Sequence, residues 1–283
     1  MLSLIICSRT SKISDAFEKN IAATIGCQFE LVVIDNSKNT YNIFSAYNEG
    51  VIRSKGDILC FMHDDLWFRT ENWGRKVETY ISNSQNIGVV GVIGSYCLTK
   101  DCCYWDMMTP YVTGQVPVGN NKDKETVYNR NYYFDEHCSA EVVAVDGMWL
   151  CIPKTIFSKI TFDEKTFSGF HFYDMDICMQ SLHAGYKNVV IRDIEILHMC
   201  HPQYNCCFLL SMKKFCEKWE QELPIFRGEA IEMDEKDYYR LHETTVQYCK
   251  LLEKYNDITN SLSFKLGHFL LTPFRFIRNM LHK

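Results

Sequence analysis

The chain has 283 residues, of which 47% are hydrophobic and 14% aromatic, so it can bury the core of one large domain or of two modest ones. Its formal net charge of −5 and its isoelectric point near 6.0 argue against a general nucleic-acid-binding protein. We therefore expect a folded globular protein with no nucleic-acid partner.

Strands and helices alternate in the first part of the chain. Apolar runs predict buried strands, and apolar residues at helical spacing after a capping residue such as Ser14 predict helices. In chain order the predicted elements are strand 2–7, helix 14–25, strand 30–34, helix 41–53, strand 57–62, helix 71–82 and strand 87–93. This alternation is typical of a parallel sheet with right-handed crossovers.

Polar residues follow each of the first three predicted strands, and a parallel sheet gathers such residues at one edge. They are Ser8-Arg9-Thr10, Asp35-Asn36-Ser37 and His63-Asp64-Asp65. Open α/β sheets bind ligands at this edge, and three loops make a nucleotide-sized site. Two carboxylates at the tip of a buried strand favour a divalent cation with a phosphate, or else they cap the helix that follows. Neither a G-x-G-x-x-G motif nor a P-loop is present.

The spacing of apolar residues follows neither a helix nor a strand over residues 96–138, where aromatic side chains are scattered among polar ones. This composition predicts a long loop whose aromatic rings either stack on sugars or pack over the sheet. A strand is predicted over 141–152, with an interruption at Asp146-Gly147, where glycine marks a bulge or the close approach of a ligand. A helix over 174–184 and a strand over 187–192 follow.

Asp174 and Asp176 fall in the first turn of the helix predicted over 174–184. They either serve a chemical role or only satisfy the helix terminus. A carboxylate at a helix start is a weak base, although burial against neighbouring aromatic residues would raise its pKa. The sequence leaves these alternatives open.

The fourteen cysteines include no C-x-x-C pair, and the adjacent pairs lack the spacing of zinc ligands. Four of them lie inside apolar runs, where cysteine behaves as a small hydrophobe; these are Cys7, Cys60, Cys151 and Cys178. This usage favours a reducing cytoplasm. Since the first residues lack a basic region and no apolar run is long enough to span a membrane, we predict a cytoplasmic protein.

The order of these motifs resembles the family-2 glycosyltransferases of the GT-A fold, in particular the subgroup in which histidine precedes the aspartate motif. The matching segments lie before about residue 202 and are the first strand, VVIDNS, YNEGVIRSKGDI, FMHDD, VDGMWL, FDE, FYDMDICMQSLHAGY and ILH. The resemblance implies an α/β fold with a Rossmann-like, mostly parallel central sheet flanked by helices. It implies a catalytic domain over 1–203, with a nucleotide-sugar-binding half (1–95) and an acceptor half (96–203).

The resemblance also implies roles for particular residues. The donor would be bound by Thr10, Asp35, Asn48, Arg53 and Asp64. A manganese or magnesium ion would be held by Asp65 and His198, with His201 in reserve, and Asp174 would be the catalytic base. Two positions depart from the family pattern, because His63 stands at the first aspartate of D-x-D and Tyr173 at the glutamate of the Glu-Asp pair.

The activity implied by the resemblance is inverting transfer of a sugar from a UDP- or dTDP-sugar to a hydroxyl of a saccharide or lipid-linked acceptor, in surface polysaccharide biosynthesis. A second reading, based on the departures at His63 and Tyr173, is a sugar-nucleotide-binding protein that has lost its activity. A nucleotidyltransferase is a third reading, for which SRTSKIS is a poor match to the glycine-rich, basic signature such enzymes carry after the first strand.

Residues 204–283 are predicted to form a helical extension with helices over 208–222 and 236–254. This extension packs on the catalytic domain or pairs with a second subunit as a homodimer. Its end, 258–283, carries basic residues among apolar ones and no acidic residue. Such a segment either contacts an anionic membrane surface as a peripheral anchor or packs on its own domain with the basic residues solvated.

Overall fold

The computed structural model describes residues 1–100, 111–121, 124–129, 139–199, 206–228, 235–263 and 265–266. Its strands are β1 (Leu2–Ser8), β2 (Phe29–Asp35), β3 (Ile58–Met62), β4 (Leu66–Phe68), β5 (Ile87–Gly91), β6 (Ile93–Ser95), β7 (Cys97–Leu98), β8 (Val112–Asn121), β9 (Lys124–Asn129), β10 (Ser139–Val142), β11 (Ala144–Val145), β12 (Trp149–Pro153), β13 (Lys187–Ile191), β14 (Ile196–His198) and β15 (Ile225–Phe226). Its helices are α1 (Asp15–Thr24), α2 (Ile43–Arg53), α3 (Trp73–Asn83), α4 (Tyr173–His183), α5 (Cys206–Lys218) and α6 (Glu235–Asn260), with a 3-10 helix over Lys154–Ser158.

The central sheet has seven strands in the order β10-β13-β5-β12-β3-β1-β2. Strands β1, β2, β3, β5 and β13 share one direction, whereas β12 and β10 run antiparallel to their neighbours. The predicted α/β fold with a mostly parallel sheet is therefore confirmed, as a mixed sheet with an antiparallel strand near its centre. Strand β3 is buried along its whole length, as its continuous apolar run predicts.

Helices α1 and α2 begin where their capping residues place them. Ser14 caps α1 by accepting a hydrogen bond from the Phe17 amide at 3.2 Å, and Asn42 caps α2 in the same way from the Ser45 amide. Helices α1 and α2 carry the chain back from the carboxyl edge of β1 and β2 to the amino edge of the next strand. The carboxyl ends of β1, β2 and β3 therefore meet at one edge.

Two predicted strands are each divided between sheets. The run 87–93 becomes β5 in the central sheet and β6 in a second sheet, and the run 141–152 becomes β10, β11 and β12. The second sheet has the order β11-β6-β8-β14-β4, with β9 on β8. A continuous apolar run cannot reveal this division, because both sheets bury the same residue types.

The prediction of an irregular loop over 96–138 is wrong for the described part of it. Strands β8 and β9 pair as an antiparallel hairpin, and Tyr111 just before them is buried. Most of the aromatic residues on which the sugar-stacking idea depended lie outside the described residues; they are Tyr104, Trp105, Tyr132, Tyr133 and Phe134.

The treatment of buried cysteines as simple hydrophobes is wrong for one pair. Cys60 on β3 and Cys151 on β12 are directly opposite in register, and their sulfurs are joined as a disulfide. Cys7 and Cys178 remain thiols, as predicted. The sequence gives no sign of the pairing, since it depends on β12 lying next to β3 although 91 residues separate the two cysteines.

The C-terminal extension begins with α5, which packs Phe208 and Phe215 against Phe172 at the start of α4. Helix α6 lies on α5, where Cys249 contacts Met212. Within the described residues, no helix is both long and apolar enough to cross a membrane. His201 and residues 267–283 lie outside the described part of the chain.

Candidate active site

The carboxyl end of β3 delivers the motif His63-Asp64-Asp65 to the edge of the sheet. The His63 amide donates to the Met148 carbonyl at 3.0 Å, which fastens the motif to the start of β12. Directly after the motif, β4 pairs antiparallel with β14, and His198 is the register partner of Leu66. This pairing carries His198 across 135 residues of sequence to the motif, and it explains why spacing alone cannot group the two.

Three side chains converge at this point. The Nδ1 atom of His63 lies 3.3 Å from Nε2 of His198, and Oδ1 of Asp65 lies 3.3 Å from the same Nε2 and 3.9 Å from His63 Nδ1. The three ligand atoms all lie within 4.8 Å of one another, as in a group that could hold a metal ion. We call His63, Asp65 and His198 the His-Asp-His cluster.

The cluster is electrostatically suited to a cation. Asp65 Oδ1 is buried, and among the described residues its contact with His198 Nε2, at 3.3 Å, is an ion pair rather than an assigned hydrogen bond. Burial alone would raise the pKa of Asp65, but His198 lowers it below its usual value, so the carboxylate is ionised. Burial and the nearby His198 lower the pKa of His63 to about 4, so its imidazole is neutral at pH 7. Burial opposes a charge on His198, but the Asp65 carboxylate raises the pKa of this imidazole above its usual value, so a metal ion would have to displace a proton from it. Neutral imidazole and carboxylate are the forms that bind a metal.

Asp174 lies in the first turn of α4, as predicted, and its side chain is 3% exposed. Its Oδ2 accepts a hydrogen bond from the Gly147 amide at 3.1 Å, and its Oδ1 accepts one from the Met175 amide at 2.9 Å. Burial, assisted by the negative charge of Asp146, raises the pKa of Asp174 to about 7 despite these amide donors. Burial therefore has a larger effect on the pKa of Asp174 than the dipole of α4, which would lower it.

A buried polar network secures the start of α4 to α5. Asp176, which is 1% exposed, accepts hydrogen bonds from Trp219 Nε1 at 2.9 Å and from Gln180 Nε2 at 2.7 Å, and its Oδ1 lies 2.7 Å from Lys218 Nζ. Lys218 also pairs with Asp163 at 2.8 Å. Asp176 is therefore a structural residue, whereas the Asp174 carboxyl group, two positions earlier, is held by the backbone amides of Gly147 and Met175.

The strand ends of β1 and β2 lie beside the cluster, as predicted. Ser8 Oγ donates to Asp64 Oδ2 at 2.9 Å and lies 3.1 Å from Thr10 Oγ1, so these three residues form one polar patch. Asp35 ends β2 with its side chain exposed, and it accepts from the Ser37 amide at 2.9 Å. Its pKa is lowered by the Ser37 hydrogen bonds.

Two residues predicted to support the donor are engaged elsewhere. The Asn48 side chain donates to the Phe162 carbonyl at 2.8 Å and accepts from the Phe162 amide at 3.1 Å, so it ties α2 to the segment before α4. Arg53 lies at the far end of α2, near the amino edge of the sheet, and pairs with Glu49 at 2.7 Å. The structure does not bring either residue to the His-Asp-His cluster.

Sequence reasoning missed two residues of this site. His63 and Tyr173 were recognised only as departures from the family pattern, yet they contact each other, with His63 Nε2 2.8 Å from the Tyr173 hydroxyl. The available signal was that both departures fall in the two motifs expected to carry the chemistry. No pattern in the chain pairs residues 110 positions apart.

The mixed central sheet flanked by helices matches the fold of GT-A glycosyltransferases. The family model described as "Glycosyltransferase like family" matches residues 3–229, which is most of the chain and extends through α5. The chain belongs to this family and is a sugar-transferring enzyme. No curated protein matches it.

Two solved structures align with this chain. GalNAc-T7 in complex with UDP, GalNAc and Mn2+ aligns over 92% of this chain with a TM-score of 0.50 and 11% identity, and this chain spans 57% of that protein's chain. A197 from STIV aligns over 71% of this chain and 86% of its own, with a TM-score of 0.40 and 13% identity. At such identities the GalNAc-T7 likeness shows the GT-A fold alone.

Proposed function

We propose that this enzyme transfers a sugar from a nucleoside-diphosphate sugar, a UDP- or dTDP-sugar, to an acceptor hydroxyl with inversion at the anomeric carbon. The observation that carries the proposal is the partly buried His-Asp-His cluster at the sheet edge where GT-A enzymes bind their donor. Thr10, Asp35 and Asp64 are proposed donor contacts, because they line the ends of β1, β2 and β3 beside the cluster. The neighbour GalNAc-T7 was solved with UDP and GalNAc.

The cluster fits a divalent metal ion. Its oxygen donor, Asp65 Oδ1, is buried and without a hydrogen bond, and its nitrogen donors are close enough to share one ion. His63, Asp65 and His198 are the proposed ligands, and nitrogen together with carboxylate suits manganese better than magnesium. When bound, the ion neutralises charge on the donor's diphosphate. The solved complex of GalNAc-T7 contains Mn2+.

Asp174 is proposed as the general base. The acceptor hydroxyl attacks the anomeric carbon, a new carbon–oxygen bond forms, and the bond to the nucleoside diphosphate breaks on the opposite face. Asp174 takes the hydroxyl proton, for which a pKa of about 7 is well matched near neutral pH. A positioned base contributes a factor of about 10² to 10⁴ to the rate.

Phe170 is a proposed acceptor contact. It is 51% exposed, an unusual state for phenylalanine, and its ring centre lies 5.4 Å from that of His63 and 5.9 Å from that of Tyr173. An exposed aromatic face beside the cluster can pack on the apolar face of a sugar ring. This favours a saccharide or a saccharide-bearing lipid as the acceptor, consistent with surface polysaccharide biosynthesis.

We also propose that the C-terminal end lies on an anionic membrane surface. Five exposed apolar residues of α6 and the residues after it follow the spacing of one helix face; they are Leu251, Tyr255, Ile258, Leu262 and Leu266, 59–88% exposed. Cys249 packs on the opposite face. Lys265 and the basic residues after it supply the complementary charge.

Vesicle flotation tests the membrane contact. The full wild-type chain should float with phosphatidylglycerol vesicles, and Leu262→Glu should not. Flotation of Leu262→Glu, or dimers of the wild type in solution, contradicts the membrane contact.

Donor turnover tests the proposed activity. The protein is incubated with a panel of UDP- and dTDP-sugars, Mn2+ or Mg2+, and saccharide acceptors, and release of nucleoside diphosphate is measured. We expect release with at least one donor, and binding without release in Asp174→Asn. Donor binding by the wild type without release for any acceptor indicates an inactive binding protein, and pyrophosphate release from a nucleoside triphosphate and a sugar phosphate indicates a nucleotidyltransferase.

A further inference from the structure

The two residues that depart from the glycosyltransferase pattern form one unit. His63 stands where an aspartate is expected and Tyr173 where a glutamate is expected, and the imidazole Nε2 lies 2.8 Å from the phenolic oxygen. The Tyr173 hydroxyl also donates to the Gly147 carbonyl at 2.9 Å. The contact is buried, since Tyr173 is 3% exposed.

Hydrogen counting gives a direction to this contact. A tyrosine hydroxyl has one hydrogen and a carbonyl oxygen can only accept, so the contacts of Tyr173 with Gly147 and His63 are both hydrogen bonds only if the phenolic hydrogen goes to Gly147. The hydroxyl must then accept from His63, which requires the hydrogen of that imidazole to be on Nε2. The other nitrogen, Nδ1, is left with its lone pair, and Nδ1 is the atom that faces Asp65 and His198.

The position of the Tyr173 ring leaves room only for glycine at position 147. A β-carbon at position 147 would lie 2.4 Å from the Tyr173 hydroxyl and 2.5 Å from the ring carbon that bears it, which is closer than any real contact. The Gly147 amide in turn donates to Asp174. The turn at Asp146-Gly147 is therefore in contact with both the hydroxyl that orients His63 and the carboxylate proposed as the base.

We propose that Tyr173 is a positioning residue that holds His63 in the Nε2–H tautomer and so presents Nδ1 as a ligand to the metal. This inference rests on the proposed metal site of the preceding section. An outer partner of this kind fixes ring orientation and tautomer, and its loss lowers metal affinity about 10- to 100-fold.

Binding of Mn2+ alone, measured by electron paramagnetic resonance, tests the inference without any sugar. Tyr173→Phe removes only the hydroxyl, and we expect it to weaken Mn2+ binding about 10- to 100-fold. Tyr96→Phe, which removes a hydroxyl that contacts Arg192, is the matched control and should bind Mn2+ like the wild type. In a His63→Ala background, Tyr173→Phe should weaken binding no further, because its effect passes through His63.

Nitrogen NMR of ¹⁵N-histidine-labelled protein reports the tautomer directly. We expect His63 to be protonated at Nε2 alone in the wild type and to lose that preference in Tyr173→Phe. Wild-type Mn2+ affinity in Tyr173→Phe, or an equal loss with and without His63, overturns the inference. Asp65→Ala distinguishes a failure of the metal site from a failure of the Tyr173 role. If Asp65→Ala abolishes Mn2+ binding while Tyr173→Phe does not alter it, only the role of Tyr173 is refuted. If Asp65→Ala binds Mn2+ normally, the proposed metal site itself is refuted.

Discussion

The substitution Asp174→Asn should abolish a loss of folding stability that the wild type suffers as the pH rises, and it should also remove catalysis. Asp174 is 3% exposed, and burial with the Asp146 charge raises its pKa from 3.8 to about 7. Because the folded pKa of this acid is higher than the unfolded one, the unfolded state loses its proton first. Folding stability is then lost as the pH rises from about 4 to about 7. At about 1.4 kcal/mol for each pH unit, the loss is about 4 kcal/mol by pH 8.

Asparagine carries no proton to lose, so the variant escapes this penalty. Urea unfolding of the wild type and the variant at pH 4.5 and at pH 8 measures the effect. We expect the free energy of unfolding of the variant, minus that of the wild type, to be several kcal/mol larger at pH 8 than at pH 4.5. The exposed Asp193→Asn serves as the control and should change by less than about 0.5 kcal/mol. A difference for Asp174→Asn that does not vary with pH would refute the argument that Asp174 is a buried carboxyl with a raised pKa.

Three further predictions follow from single contacts. The rate of transfer should rise with pH through about 7, as Asp174 loses its proton, and a rate–pH profile that is flat there would remove Asp174 from the base role. Phe170→Ala should raise the KM for the acceptor and leave the donor KM unchanged; a matching rise in the donor KM would instead assign Phe170 to the donor. Lys218→Met should destabilise the fold by about 3 kcal/mol, because it leaves Asp176 buried without its cation; thermal unfolding measures this, and an unchanged melting temperature contradicts it.

The first half of the fold could be predicted because its signals are local. Continuous apolar strands, capped helices such as α1 and polar strand ends all occur within short windows, and these determine a parallel sheet with one functional edge. The second half could not, because a run such as 141–152 supplies strands to two sheets. The Cys60–Cys151 disulfide was missed for the same reason, since it depends on which strand lies beside β3.

The candidate site could be predicted in part. Asp65, His198 and Asp174 were named from motifs, and the structure gathers Asp65 with His198 and buries Asp174. Asn48 was named from the same source, but its amide is used to hold Phe162, which only the packing of α2 reveals. His63 entered as a departure from D-x-D, and its contact with the Tyr173 hydroxyl of α4 joins residues that no local pattern connects.

Diffraction from crystals soaked with Mn2+ and a UDP-sugar, recorded at the manganese absorption edge, tests the central claim most directly. We predict one anomalous peak bonded to His63 Nδ1, Asp65 and His198 Nε2, with the donor's diphosphate on its open side. An anomalous peak elsewhere, or donor bound at the β1–β3 edge with this cluster unoccupied, would contradict the account.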